Sequence, residues 1–111
     1  MTAVPVIVIF TAAITLGLVM LVLRLRGRRK PVLIGFHFLL GAGGLEQLAM
    51  LMSRTSLKPT AAGLVLLALI CALTAAIIGK AAPRTAAMVF ATHIAFGIAG
   101  FLVLLASLPV S

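Results

Sequence analysis

Two histidines, His37 and His93, combine metal-binding chemistry with an apolar setting in this chain. Each is followed by glycine after four and after seven residues, so the string His-x-x-x-Gly-x-x-Gly occurs twice. At about 100° per residue, these glycines lie within about 40° of the histidine on a helix surface. They are Gly41, Gly44, Gly97 and Gly100. Each segment therefore places an imidazole and then a groove on one helix face.

This arrangement favours a b-type haem between two helices, with His37 and His93 as axial iron ligands. The histidines lie six residues after Pro31 and nine after Arg84, which is about 9 Å and about 13 Å along their helices. The four glycines would leave room for the flat macrocycle. The sequence offers neighbouring aromatic rings as an apolar wall and basic side chains as propionate partners: Phe36, Phe38, Phe90 and Phe96, and Arg28, Arg29 and Arg84.

Helix packing is the alternative for the same residues. Small residues spaced three and four apart let membrane helices approach closely, and an intramembrane histidine often hydrogen-bonds to a neighbouring helix. A zinc or copper site is less favoured, because two histidines supply only half of the usual ligand set. Cys71 is the single thiol. A lone cysteine in an apolar helix usually acts as a small hydrophobic residue.

Glu46 is the only acidic residue of the chain. It lies nine positions after His37, about 180° around the helix, so the two side chains do not share a face. A membrane carboxylate can couple proton movement to transport in small four-helix exporters. The exporters of this kind carry the glutamate in the first helix and line the substrate path with aromatics, whereas this chain has no Trp or Tyr. A glutamate that reaches toward Arg54 is the simpler interpretation.

These residues lie in four apolar runs, 4–23, 31–52, 60–79 and 86–108. Each run is close to the 20 or so residues that cross a bilayer. The chain has 111 residues, of which 64% are hydrophobic and 9% charged, so no soluble catalytic domain fits. We expect a single all-α integral membrane domain, a four-transmembrane-helix bundle of two tandem hairpins, and no enzymatic activity.

The net charge of +8 resides in the connectors between the runs. The first connector holds five bases, the second Arg54 and Lys58, and the third Lys80 and Arg84. These connectors contain no aromatic residues, which argues against nucleic-acid binding. Because basic loops stay in the cytoplasm, the distribution predicts an N-out/C-out protein.

The two halves of the chain, 1–56 and 57–111, align at an offset of 56 residues, which places His37 on His93 and suggests a duplicated hairpin. Each copy has a basic, proline-containing turn before the histidine helix, in the stretches Arg26–Gly44 and Lys80–Gly100. In this pattern the chain resembles small uncharacterised bacterial inner-membrane proteins built from a repeated hairpin. The resemblance implies a multi-pass protein of a bacterial inner membrane and no particular activity.

Three functions follow as hypotheses. The first is a bis-His haem b electron-transfer protein, or a cofactor-bearing subunit of a bioenergetic membrane complex. The second is a cofactor-free accessory protein that docks onto a larger membrane complex or forms a homodimer. The third is a small proton-coupled transporter that uses Glu46. In each case the lipid bilayer is the immediate partner.

Overall fold

A computed structural model of the protein describes residues 3–28, 30–55 and 59–107. These residues form four helices, α1 (Val4–Leu25), α2 (Pro31–Arg54), α3 (Thr60–Ile78) and α4 (Pro83–Ser107), and the described ranges contain no strand. The predicted all-α class is confirmed. Arg29 and Lys58, which have predicted roles, lie outside the described ranges, as does Leu108, the predicted end of the fourth run.

All four helices are long and apolar enough to cross a membrane, as predicted. Their outward surfaces carry large apolar side chains, among them Val8, Leu39, Ile77 and Leu102, which are exposed on the protein. A soluble protein of this size does not expose apolar residues so extensively. Such a surface is compatible with contact with the hydrocarbon chains of lipids.

The helices pair into two hairpins. The chain divides into two compact units, Met1–Thr55 and Ser56–Ser111, with α1 packed on α2 in the first and α3 packed on α4 in the second. In the first hairpin the buried residues recur every three or four positions, which places them on one face of each helix. They are Val6, Phe10 and Ala13 on α1, and Gly44, Leu48 and Leu51 on α2.

The second hairpin has a smaller buried set of the same kind. Ala61 and Ala68 are buried on α3, and Ala86, Gly100 and Leu104 on α4. Apart from Leu104 these are alanine and glycine, so the backbones of the two helices can approach closely, as is common for helices packed in membranes.

The helix ends differ by a few residues from the predicted runs. α1 and α2 each continue two residues further, to Leu25 and Arg54, because a basic side chain near a helix C-terminus interacts favourably with the helix dipole. α4 begins at Pro83 rather than Ala86, since proline has no N–H to lose in a first helical turn. α3 ends at Ile78, one residue early.

A Schellman motif closes α1. The Arg28 N–H donates to the Leu23 carbonyl (2.8 Å) and the Gly27 N–H donates to the Arg24 carbonyl (3.0 Å). Gly27 has a φ of 75°, the left-handed conformation that this motif requires and that glycine adopts without steric cost. The turn between α1 and α2 is therefore set by Gly27 and Pro31.

Candidate functional site

His37 joins α2 to α1 through a hydrogen bond to the main chain. Its Nδ1 lies 2.8 Å from the Ala13 carbonyl oxygen. A carbonyl oxygen can only accept, so Nδ1 carries the hydrogen and donates it. In a neutral imidazole this leaves the lone pair on Nε2, which is the nitrogen able to act as a metal ligand.

Gly17 explains why the Ala13 carbonyl is within reach. A helical side chain points toward the helix N-terminus and covers the turn before it, so residue 17 would cover the carbonyl of residue 13. A Cβ placed on Gly17 would lie 2.9 Å from His37 Cε1, well inside van der Waals contact. The imidazole therefore occupies space that any side chain at position 17 would need.

His93 makes the corresponding bond in the second hairpin. Its Nδ1 donates to the Ala68 carbonyl across a distance of 2.7 Å and joins α4 to α3. The ring of Phe90 lies beside it, with the ring centroids 5.8 Å apart and tilted by 32°. Both imidazoles are half-buried. The residue one turn after Ala68 is Ala72, which takes the sequence position that Gly17 has in the first hairpin.

These histidine bonds differ from the hydroxyl bonds of the same helices. Thr15, Thr74 and Thr92 each donate to a carbonyl four residues earlier in their own helix. That arrangement satisfies a hydroxyl without any neighbouring helix. In contrast, both histidines reach the backbone of the adjacent helix and so hold each hairpin together.

The predicted glycines have two kinds of surroundings. Gly44 and Gly100 are buried against the neighbouring helix of their own hairpin. A Cβ at Gly44 would lie 2.7 Å from Phe10 Cε1, and one at Gly100 would lie 3.0 Å from Val65 Cγ2. These two glycines therefore permit close packing of α1 on α2 and of α3 on α4.

Gly41 and Gly97 lie one turn after the histidines and are less confined. Apart from the backbone of the same helix turn, no atom lies within 4 Å of a Cβ placed on Gly41. At Gly97 the nearest such atom is Ala68 Cβ, at 4.0 Å. Of the four predicted glycines, Gly41 and Gly97 are the pair beside which the hairpin leaves space.

The two hairpins use the same contact register. Ala13 and Ala68 accept from the histidines, and Phe10 and Val65 contact the second glycines. On α1 and α3 the corresponding residues are 55 positions apart, whereas His37 and His93 are 56 apart, because the bonded pairs span 24 and 25 residues. The α3–α4 hairpin is thus one residue longer between its bonded residues.

The charged candidates lie outside the buried faces of the hairpins. Glu46 is exposed on α2, and Arg28 and Arg84 are exposed at the turn ends of α2 and α4. Cys71 is half-buried on α3. Within the ranges that the structure describes, no three His, Cys, Asp or Glu side chains gather as a metal-binding group. Of the predicted candidates, the two histidines are the ones whose side chains hydrogen-bond across a hairpin.

The main-chain acceptors were not predicted from the sequence. A carbonyl belongs to every residue, so Ala13 and Ala68 carry no signature of residue type. The available signal was Gly17, a glycine in an apolar helix facing the histidine helix. No protein-family model, curated protein sequence or solved structure matches the chain.

Proposed function

We propose that the protein binds haem b through His37 and His93 and passes electrons within a membrane. The observation that supports this is the Nδ1–H bond of each histidine to a carbonyl of the neighbouring helix. Histidines that bind metals commonly donate their other ring N–H to a carbonyl or carboxylate, which fixes the ring and raises its basicity. In a neutral imidazole, this bond selects the tautomer that has its lone pair on Nε2.

Within each hairpin, the histidine has a less confined glycine one turn later on the same helix. Gly41 and Gly97 are the less confined glycines, while Gly44 and Gly100 serve hairpin packing. Measured from the helix starts, His37 lies about 9 Å along α2 and His93 about 15 Å along α4. That difference is close to one helical turn. Arg28 and Arg84 at the turn ends suit the propionates.

When bound, haem would supply one-electron redox chemistry. The chain's own residues would set its surroundings. The Ala13 and Ala68 carbonyls hold the proton on Nδ1 and orient the rings, and the apolar helices exclude water. Because each hairpin supplies one imidazole, the two residues that would hold the haem would come from two hairpins, of one chain or of two copies.

The test is a pyridine haemochrome spectrum of protein purified in mild detergent from haem-replete cells. We expect a stoichiometric haem b band, which His37→Leu and His93→Leu each abolish. His37→Asn is the discriminating variant, because its amide nitrogen can take the place of Nδ1 as donor to Ala13 but no nitrogen replaces Nε2. Loss of haem with an intact fold identifies the ligand role, and a wild-type protein without haem would sink the proposal.

A cofactor-free accessory protein is the second candidate, and the contacts at Gly17, Gly44 and Gly100 favour it. Each of these glycines meets a side chain of the hairpin's other helix, so packing alone accounts for their presence. In this case His37→Asn retains the stability of the wild type and His37→Leu loses about 1 kcal/mol. The partner would be a larger membrane complex or a second copy of the chain.

The placement in the cell belongs to the same proposal. We assign the protein to a bacterial inner membrane as a four-helix bundle with both termini outside the cytoplasm. The basic residues between α1 and α2, and Lys80 and Arg84 between α3 and α4, support this orientation because basic loops are retained in the cytoplasm.

A further inference from the structure

The turn between α1 and α2 concentrates the positive charge of the first hairpin. We define the basic turn as the four described bases of residues 24–30, which are all exposed: Arg24, Arg26, Arg28 and Lys30. The corresponding turn of the second hairpin carries only Lys80 and Arg84. Fewer bases would be enough to keep the first turn on one side of the membrane, so orientation alone does not explain their number.

The backbone of the basic turn is held by hydrogen bonds as far as Arg28. The Schellman bonds from Arg28 to Leu23 and from Gly27 to Arg24 fix the chain as it leaves α1. Pro31 starts α2 immediately afterwards. Arg26 and Arg28 thus lie in a turn whose backbone is fixed as the chain leaves α1, and Lys30 directly precedes α2.

The one acidic residue of the sequence lies far from this turn along α2. The first turn of α2 contains no acidic residue. Glu46, the one acid of the sequence, lies sixteen residues after Lys30, about 24 Å along α2. At physiological ionic strength charges interact weakly beyond about 8 Å.

We propose that the basic turn binds the phosphate of an anionic phospholipid headgroup. A turn that joins two membrane-spanning helices lies at headgroup depth, and basic clusters beside a span attract anionic lipid. Guanidinium groups match phosphate oxygens in geometry as well as in charge. The site does not include the histidines, and Arg28 is the one residue that it shares with the proposed haem site.

The test uses the full chain in a neutral detergent with equal amounts of phosphatidylglycerol and phosphatidylcholine. Native mass spectrometry then counts the lipids that remain bound. Because detergent micelles have no sides, orientation does not contribute to the result. We expect phosphatidylglycerol to be preferred, and the triple variant Arg26→Gln/Arg28→Gln/Lys30→Gln to reduce the preference roughly tenfold.

The matched control is Lys80→Gln/Arg84→Gln in the second hairpin, which should keep the preference. Circular dichroism confirms that each variant retains its helices. Excess inorganic phosphate should not displace the lipid, whose acyl chains add to its binding. Equal binding of the two lipids by the wild type, an unchanged preference in the triple variant, an equal loss in the control, or full displacement by phosphate would each overturn the proposal.

Discussion

In the first hairpin, the missing side chain of Gly17 determines how the half-buried His37 finds a hydrogen-bond partner. An imidazole within an apolar span needs a hydrogen-bond partner, because an unsatisfied polar group in hydrocarbon is costly. His37 finds one in the Ala13 carbonyl, which the absence of a side chain at Gly17 uncovers. The carbonyl has two lone pairs, so it can accept this bond without giving up its helical one.

Gly17→Val tests this arrangement. The valine side chain would occupy the place of His37 Cε1 and separate Nδ1 from the Ala13 carbonyl, so we expect the free energy of unfolding to fall by about 1–3 kcal/mol. The measurement is unfolding by SDS titration in mixed micelles. Gly35→Val is the control in the same hairpin, since no neighbouring atom lies within 4 Å of its Cβ position. Equal losses in the two variants would contradict the role of Gly17.

At the scale of the helices, much of the fold follows from apolar runs and prolines. The four spans were predictable because length and composition alone place a segment in a bilayer. The end of α1 was not predictable from the apolar run. Arg24 and Leu25 extend the helix to a Schellman motif, which depends on the backbone angle of Gly27.

The histidines were predictable as candidates and their acceptors were not. His37 and His93 stand out by residue type, whereas Ala13 and Ala68 contribute a group that every residue has. The glycines show a similar limit. Spacing places Gly41 and Gly44 on one face, but the contact with Phe10 that separates their roles depends on the register of α1 against α2.

Gly27→Ala tests the turn that ends α1. Alanine pays about 1–2 kcal/mol in the left-handed conformation, so we expect the variant to unfold at a lower SDS fraction than the wild type. Gly63→Ala is the comparison, because Gly63 lies in α3, where a Cβ meets no neighbouring atom within 4 Å. If Gly27→Ala were as stable as Gly63→Ala, the Schellman motif would not contribute to stability.

At the scale of the whole molecule, charge and apolar surface are separated along the chain. The sequence has nine basic residues and one acid, and within the described ranges the bases lie at helix ends and in connectors. The apolar surfaces of the helices do not determine which end of each helix faces the cytoplasm, so the charged connectors set the orientation. The basic turn and the pair Lys80 and Arg84 favour the same side.

Reporter fusions in bacterial cells test the orientation. Alkaline phosphatase, which is active outside the cytoplasm, should be active when fused after Ser111, and green fluorescent protein at that position should be dark. A fusion that truncates the chain after Lys30 should show the reverse. A fluorescent C-terminal fusion would refute the N-out/C-out arrangement.

The hydrogen bond within each hairpin also bears on how the chain enters its membrane during synthesis. Of the four helices, α2 has the lowest mean hydropathy, and it carries both His37 and Glu46. The acceptor for His37 lies on α1, which is synthesised first and contains the most hydrophobic 18-residue stretch of the four helices. We expect α1 to wait beside the insertion machinery until α2 emerges, so that the imidazole reaches lipid with its partner already in place. The hairpin, rather than the single helix, would then be the unit of insertion.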